Sequence, residues 1–255
     1  AALPAVFNPE DLNALETALE IKERCTGIIC VLTMGPPAAA EILRESLYRG
    51  ADRAVLLTDR AFAGADTLAT SYVLSRAIQT IGDYDIILCG RQAIDGNTAQ
   101  VGPQVAEKLG INQLTYVERI DRISQSAIAA WREIEQGREL VESGLPVLLT
   151  VTATANIPRP PSVKNIMKYK KAKAPGELPD PSLEERLRSR GLLIEQWDAA
   201  RIGVDPLLCG LAGSPTRVKK IQNVVLQGKG FKQFEPSEAG IQDLLQELIA
   251  DYAFD

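Results

Sequence analysis

Apolar positions along the first two-thirds of the chain follow two spacings in turn. Short continuous runs at Ile28–Leu32, Ala54–Leu57 and Ile86–Cys89 fit buried strands, whereas Leu12, Leu15, Ala18, Leu19 and Ile21 recur at helical intervals. Asn8 can cap that helix and Pro9 suits its first turn, with Gly27 as its end. Ala38–Tyr48 predicts a second helix stopped by Gly50, Thr67–Ile81 a third, and Pro103–Leu109 a fourth. Continuous apolar strands, each followed by a helix, predict an α/β fold: a doubly wound, mostly parallel sheet with helices on both faces.

Near Thr115 the pattern changes. Tyr116–Ile134 predicts a pair of exposed strands, and Pro146–Thr154 a β-rich run that returns to the sheet. From Asn156 onward the prolines at 158, 160, 161, 175, 179 and 181, with lysines at 164, 168, 170, 171 and 173, predict an irregular, basic surface arm. Ser237–Tyr252 closes the chain as an amphipathic helix, with Ile241, Leu244, Leu245 and Leu248 on one side. The expected organisation is an α/β domain over 1–155, an extended arm over 156–236 and a C-terminal helix over 237–255.

Composition narrows the chemistry more than the fold. A chain of 255 residues with 45% hydrophobic and 24% charged residues is ordinary globular material. Its net charge of −5 argues against a general nucleic-acid binder. No apolar run reaches the roughly 20 residues needed to span a bilayer, and the first residues lack the charged and apolar regions of a signal peptide, so a cytoplasmic location is expected. There is no histidine. That removes Ser-His-Asp and Cys-His machinery and most zinc sites, so any redox chemistry falls to a bound group. Cys25, Cys30, Cys89 and Cys209 form no C-x-x-C pair, and neither a metal site nor a catalytic side chain is assigned.

The stretch with the most chemical content runs from Gly90 to Gly102, between an apolar strand and a helix: Arg91, Gln92, Ala93, Ile94, Asp95, Gly96, Asn97, Thr98, Ala99, Gln100 and Val101. A strand that ends in a small-residue loop and opens a helix turns backbone N–H groups toward a phosphate or pyrophosphate. Residues 97–101, with the Thr98 hydroxyl and the Gln100 amide, are the expected phosphate contacts, and Gly102 is expected to keep the backbone open where the phosphates approach. The alternative is an ordinary β-to-α turn in which the same groups only cap the helix. Asn8, Pro9 and Asp11, Thr33, Met34 and Gly35, and Asp66 and Thr67 lie at further strand-to-helix turns. Ligands of open α/β sheets bind at the carboxyl ends of such strands.

Taken in order, Asn8-Pro9-Glu10-Asp11, Thr33-Met34-Gly35-Pro36-Pro37, Gly50-Ala51-Asp52, Phe62-Ala63-Gly64-Ala65-Asp66-Thr67, Gly90-Arg91-Gln92-Ala93-Ile94-Asp95-Gly96, Pro158-Arg159 and Asn165-Ile166-Met167-Lys168 resemble the small (beta) subunit of electron-transfer flavoproteins over nearly the whole chain. The resemblance implies an adenine-nucleotide alpha-hydrolase-like fold and a heterodimer with a larger alpha subunit that carries an FAD. It implies a second adenine nucleotide in the beta subunit, AMP in respiratory members and FAD in electron-bifurcating ones. The loops here are more similar to the bifurcating group, in which NADH is the electron donor and the electrons divide between ferredoxin or flavodoxin and a partner dehydrogenase. Arg91 would then place positive charge near a reduced flavin, or pair with a carboxylate. Val163, with Ile166 and Met167, falls at the family's dehydrogenase-docking loop, and the terminal helix at its alpha-subunit contact. Two departures stand out: family members begin about one strand earlier, so the first strand of the sheet is expected to precede Ala1, and Asn97 replaces the usual Asp. A non-redox nucleotide-binding protein is the reading outside this family, since the architecture serves many functions.

Overall fold

A computed structural model describes residues 5–217 and 232–250. Two compact units divide the chain, 1–217 and 218–255. In the first, helix α1 (Pro9–Arg24) precedes strand β1 (Cys30–Met34), followed by α2 (Ala40–Arg49), β2 (Arg53–Leu57), α3 (Thr67–Ile81), β3 (Ile86–Gly90) and α4 (Val101–Leu109). Three long strands come next, β4 (Asn112–Ile123), β5 (Ala127–Ile134) and β6 (Gly137–Gly144), and then the short β7 (Val147–Val151).

The fold is α/β with mostly parallel strands, arranged as two sheets rather than one. β1 and β2 run parallel in the first sheet, and the second has the order β3-β7-β4-β5-β6, with β3, β7 and β4 parallel and the last two strands antiparallel. Among the described residues β1 and β3 each keep one edge without a strand partner.

β2 shows why continuous apolar strands were the right signal. Its Leu56 packs with Leu43 and Leu47 of α2, while Val55 and Leu57 pack with Val73 and Ala77 of α3, so both faces of the strand are buried. β7 does the same, sending Leu148 toward Val105 and Ala106 of α4 and Val147 and Leu149 toward Leu114 and Val117 of β4. An alternating sequence could not satisfy two apolar layers at once.

Three expectations need correction. The pair of exposed strands expected over Tyr116–Ile134 is a three-stranded antiparallel extension that begins at Asn112. Its first strand is half-buried, with Leu114, Val117 and Ile120 inside, and its third, β6, is exposed along nearly its whole length. The region from Asn156 is not an extended arm. It forms α5 (Val163–Tyr169), α6 (Leu183–Ser189), β8 (Glu195–Trp197) and α7 (Ala199–Ile202), and β8 adds to the first sheet beside β2. Tyr169, Ala172, Ala174, Leu192 and Ile194 are buried against α2 and β2, and Trp197 and Ile202 complete the core on the other side. Those apolar residues are spaced between prolines and lysines, which hides their periodicity, and the compact unit accordingly runs to Arg217 rather than to 155. In the second unit, α8 spans Glu238–Ala250 with Ile241, Leu244, Leu245 and Ile249 exposed. The expected residues 218–231 of the arm and 251–255 of the tail lie outside the described residues. No helix among the described residues is long and apolar enough to cross a membrane.

Candidate nucleotide-binding turn

The carboxyl ends of β1, β2 and β3 and the start of α1 carry the residues expected to form the site. The turn after β3 is shaped by α1. Asp11 Oδ1 accepts from the Gly90 N–H at 2.6 Å, Glu10 Oε2 from the Gln92 N–H at 2.9 Å, and Asn8 Oδ1 from the Ile94 N–H at 3.2 Å, while Asn8 Nδ2 donates to the Gln92 carbonyl and to Asp11 Oδ2, both at 2.9 Å. Three side chains from one helical turn thus hold three alternate amides of the loop. Gly90 is required by this approach, because a Cβ there would lie 2.7 Å from the Asp11 nitrogen and the Glu10 carbonyl carbon. Burial pushes the Asp11 carboxyl above its usual range despite the opposing bonds from Gly90 and Asn8.

Beyond Ile94 the loop is held differently. Asp95, Gly96, Asn97 and Thr98 are exposed, and the Asn97 N–H returns to the Ala93 carbonyl at 2.9 Å. Asn97 and Ala99 have φ of 51° and 54°, and Gln100 follows at φ −98°, ψ −29°. Left-handed and right-handed residues in succession turn neighbouring N–H groups to one side and form an anion-binding concavity. Among the described residues the N–H groups of Thr98, Ala99, Gln100 and Val101 donate to no protein acceptor, and no side chain caps α4. The positive end of α4 adds to the same field.

Arg91, the first residue after β3, is held by α1 and β4. Its guanidinium pairs with Glu10 at 2.9 Å and lies 5.8 Å from the Tyr116 ring, and its buried Nε has no hydrogen-bond partner. Of the two roles left open for Arg91, pairing with a carboxylate is therefore present in the fold. Tyr116 sits where the β4–β7 register slips, at φ 59°, with its N–H donating to Thr150 Oγ1 at 3.0 Å. Left-handed backbone at a bulky residue is costly and marks places where structure holds a side chain for a purpose. Neither Glu10 nor Tyr116 was singled out from sequence. Their roles depend on partners 81 and 25 residues away from each of them, and only the carboxylate at the helix start gave any hint.

Gly102 occupies a different place from the one expected. A Cβ on it would meet Cys89 Sγ and Thr150 Cγ2, each at 2.9 Å, so its bare backbone seats α4 on the sheet rather than making room for a phosphate. The Cys89 thiol it touches is pushed up to about 12 by burial and the nearby Asp11 charge, which leaves it an uncharged packing group. Asp66 and Thr67 begin α3, where Thr67 Oγ1 donates to Gln100 Oε1 at 3.0 Å and joins the two turns. Thr33 and Met34 end β1 and the Gly35 N–H donates to Leu57, but among the described residues no hydrogen bond ties them to the loop after β3. Among the described residues no cluster of three or more His, Cys, Asp or Glu side chains is arranged for a metal ion.

Farther along, Pro158-Arg159 is the root of the proposed docking loop. Arg159 makes a two-pronged pair with the buried Glu16 and a single bond to Glu23, and its backbone N–H donates to Glu16. Beyond this anchor Val163 is 76% exposed and Met167 60% exposed on α5, while Ile166 is half-buried.

Residues 1–177 match the electron transfer flavoprotein domain. The chain is 41% identical over 254 residues to Protein FixA of Sinorhizobium fredii, covering 97% of this chain and 82% of that protein. It is 43% identical over 228 residues to the electron transfer flavoprotein subunit beta of Clostridium acetobutylicum, with 89% and 80% covered. It is also 43% identical over 239 residues to the caffeyl-CoA reductase–Etf complex subunit CarD of Acetobacterium woodii, with 93% and 79% covered.

Proposed function

The chain belongs to the electron transfer flavoprotein family as a beta subunit, and we propose that it holds FAD on the turn after β3 and works with an alpha subunit in NADH-driven electron bifurcation to ferredoxin or flavodoxin and a dehydrogenase. The observation that carries the nucleotide assignment is the set of unpartnered N–H groups at residues 98–101, at the uncapped start of α4. Such a set fits a pyrophosphate: several donors at a helix N-terminus, with the cationic Arg91 at the other end of the same β3–α4 connection.

When bound, the flavin supplies the one- and two-electron redox chemistry. The chain's own residues bind, position and set charge. Residues 98–101 would take the phosphate oxygens, Asn8, Glu10 and Asp11 fix the loop, and Arg91, paired with Glu10 and resting against Tyr116, would set the electrostatic surroundings. A cation beside a bound flavin would favour its reduced anionic form, so the Glu10–Arg91 pair would set how much positive charge the site offers to it.

The exposed Val163 and Met167, on α5 just beyond the Arg159 anchor, support a docking role in which an aliphatic side chain enters a pocket of the dehydrogenase. CarD, by its name a subunit of a reductase–Etf complex, supports assembly of this kind. The apolar face of α8 is assigned to the alpha subunit.

The test is to purify the heterodimer, release its nucleotides and identify them. Two FAD per heterodimer, with NADH oxidation that requires ferredoxin and the dehydrogenase substrate together, is the expected result. One FAD with one AMP makes the chain a scaffold of the respiratory type, and ATP without flavin overturns the redox reading. Val163→Ala is expected to slow transfer to the dehydrogenase while flavin content stays at the wild-type level. Equal transfer rates would remove Val163 as the anchor.

A further inference from the structure

Asp66 is held more thoroughly than a helix cap requires. Its Oδ1 accepts from the Leu68 and Ala69 N–H groups at 3.0 and 3.1 Å, which caps α3. Its Oδ2 accepts instead from Thr216, through the backbone N–H at 3.1 Å and the hydroxyl at 2.7 Å. Its own N–H donates to Ser214 Oγ at 2.8 Å, and that hydroxyl donates to the Gly210 carbonyl at 2.6 Å. The turn-forming segment 209–216 is pressed onto the turn after β2 at the same place: the Leu211 N–H donates to the Ala63 carbonyl at 3.1 Å, and Gly210, at φ 50°, leaves no room for a Cβ between itself and the carbonyls of Ala61 and Ala63. One peptide bond from Asp66, Thr67 donates to Gln100, the residue at the start of α4 whose N–H belongs to the candidate phosphate set.

We infer that Ser214 and Thr216 are positioning residues for the nucleotide-binding turn, acting on Gln100 through Asp66 and Thr67. The inference rests on the assignment of the nucleotide to residues 98–101. The physical reason is continuity. A helix start fixed on one side by the 214–216 hydroxyls presents Thr67 in one place, and Thr67 in turn limits where Gln100 lets the N–H set point. Loosening the far side therefore costs order at the near side. The coupling is reciprocal, because a ligand that orders Gln100 must by the same linkage order the segment that ends at Arg217. Hydroxyl and carboxylate suffice for it, without a charge change, since the lowered Asp66 carboxyl, despite desolvation, is held in its ionised form by these donors.

The experiment uses the full chain in its heterodimer. Thr216→Val removes the hydroxyl bond while keeping the shape of the side chain and the cap of α3 intact, and Thr216→Ser restores the hydroxyl. Nucleotide release is followed after dilution, and amide exchange is measured over 66–69, 97–101 and 209–216 with and without saturating FAD or AMP. Release about fivefold or more faster in Thr216→Val, wild-type release in Thr216→Ser, and slower exchange over 209–216 when nucleotide is bound are the expected results. Should Thr216→Val fail to fold, Ser214→Ala is measured in its place. If exchange rises over 209–216 while release and exchange over 97–101 stay at wild-type values, the segment is only a fastening and the inference falls. Gln100→Asp separates this from failure of the site itself: loss of affinity in Gln100→Asp alone overturns only the coupling, and no loss in either variant overturns the nucleotide turn as well.

Discussion

In the turn after β2, two carboxylates use up the donors that the backbone exposes. Asp59 accepts from Ala61 and Ala199, and Asp66 from Leu68, Ala69 and Thr216, and both are held below the usual carboxylate range, Asp59 chiefly by those backbone bonds. In the turn after β3, α1 fastens only the first half, and the N–H groups from Thr98 to Val101 find no acceptor among the described residues. Both turns join a parallel strand to a helix of the same layer. A finished helix start has no remaining attraction for an anion, whereas an unfinished one keeps it. On the proposed nucleotide assignment, the binding turn is therefore the one whose helix lacks a cap.

The largest effect is expected at Gly102, where the comparison can be broken by forcing α4 off the sheet. Gly102→Val would drive its branches into Cys89, Thr150 and Leu148, and overpacking of this kind costs about 1–3 kcal/mol. Urea unfolding should show that loss in the chain without nucleotide. A variant with full stability that merely loses nucleotide would return Gly102 to the phosphate.

Asp11→Asn tests the fastened half of the same turn. An amide in that place must set an NH2 against the Gly90 N–H or the Asn8 amide, which leaves a donor unpaired at a cost of about 1–3 kcal/mol. The pH dependence has a definite sign. Because the folded pKa of Asp11 is raised, the folded state binds more protons between the ordinary value near 3.8 and the raised one, so this group's contribution falls as pH rises through that window. The stability of wild type relative to Asp11→Asn should therefore decline from about pH 4 upward and then level off. A difference that grows with pH would mean that the bond from Gly90 outweighs burial.

How much of this the sequence carried depends on the distance between partners. α3 was legible from end to end because its apolar stripe, the Asp66 cap and Gly82 are local signals, and β3 and α4 were placed within two residues or so for the same reason. β6 was not, since its exposed face reads Gly137-Arg138-Glu139-Leu140 and its order comes from pairing with β5. α5 and β8 were hidden among prolines and lysines, and they fold because Tyr169, Ile194 and Trp197 find a core made by residues more than 100 positions earlier. At the site, the loop itself was legible through its glycines and its place between strand and helix. The partners that shape it, Glu10 on Gln92 and Arg91 and Tyr116 beside Arg91, were not, and Gly102 was read as a phosphate neighbour when its contacts lie on the opposite side, in the sheet.

Gln100→Asp would convert the second turn toward the first. A carboxylate in the first turn of α4 stabilises the helix by about 0.3–1 kcal/mol through its dipole, and it sets a negative charge among the N–H groups proposed to hold phosphate. A modest gain in melting temperature together with at least a roughly tenfold loss in nucleotide affinity, about 1.4 kcal/mol, is expected. Gain without loss would place the nucleotide elsewhere.

The smallest effect is expected at Ala99, and it asks whether the shape of the unfinished turn is stored in the backbone. At φ 54° an alanine sits in the left-handed region, which costs an L-residue about 1–2 kcal/mol. Ala99→Gly removes that cost but gives the unfolded chain more freedom, an opposing term of about 0.4–1 kcal/mol. The balance is a net stabilisation of about 0.5–1 kcal/mol, read from urea unfolding without nucleotide. Asn97, the other left-handed residue, tolerates this region through its short polar side chain, so the strain is concentrated at Ala99. Nucleotide affinity is expected to stay within about twofold of wild type, because the Thr67–Gln100 bond and the fastening by α1 define the turn from both ends. A larger fall in affinity would show that the methyl group, by limiting the backbone, preorganises the N–H set. A fall in stability would mean that Ala99 is not held left-handed in the free protein, and the contrast with the capped turn after β2 would then appear only once the ligand is bound.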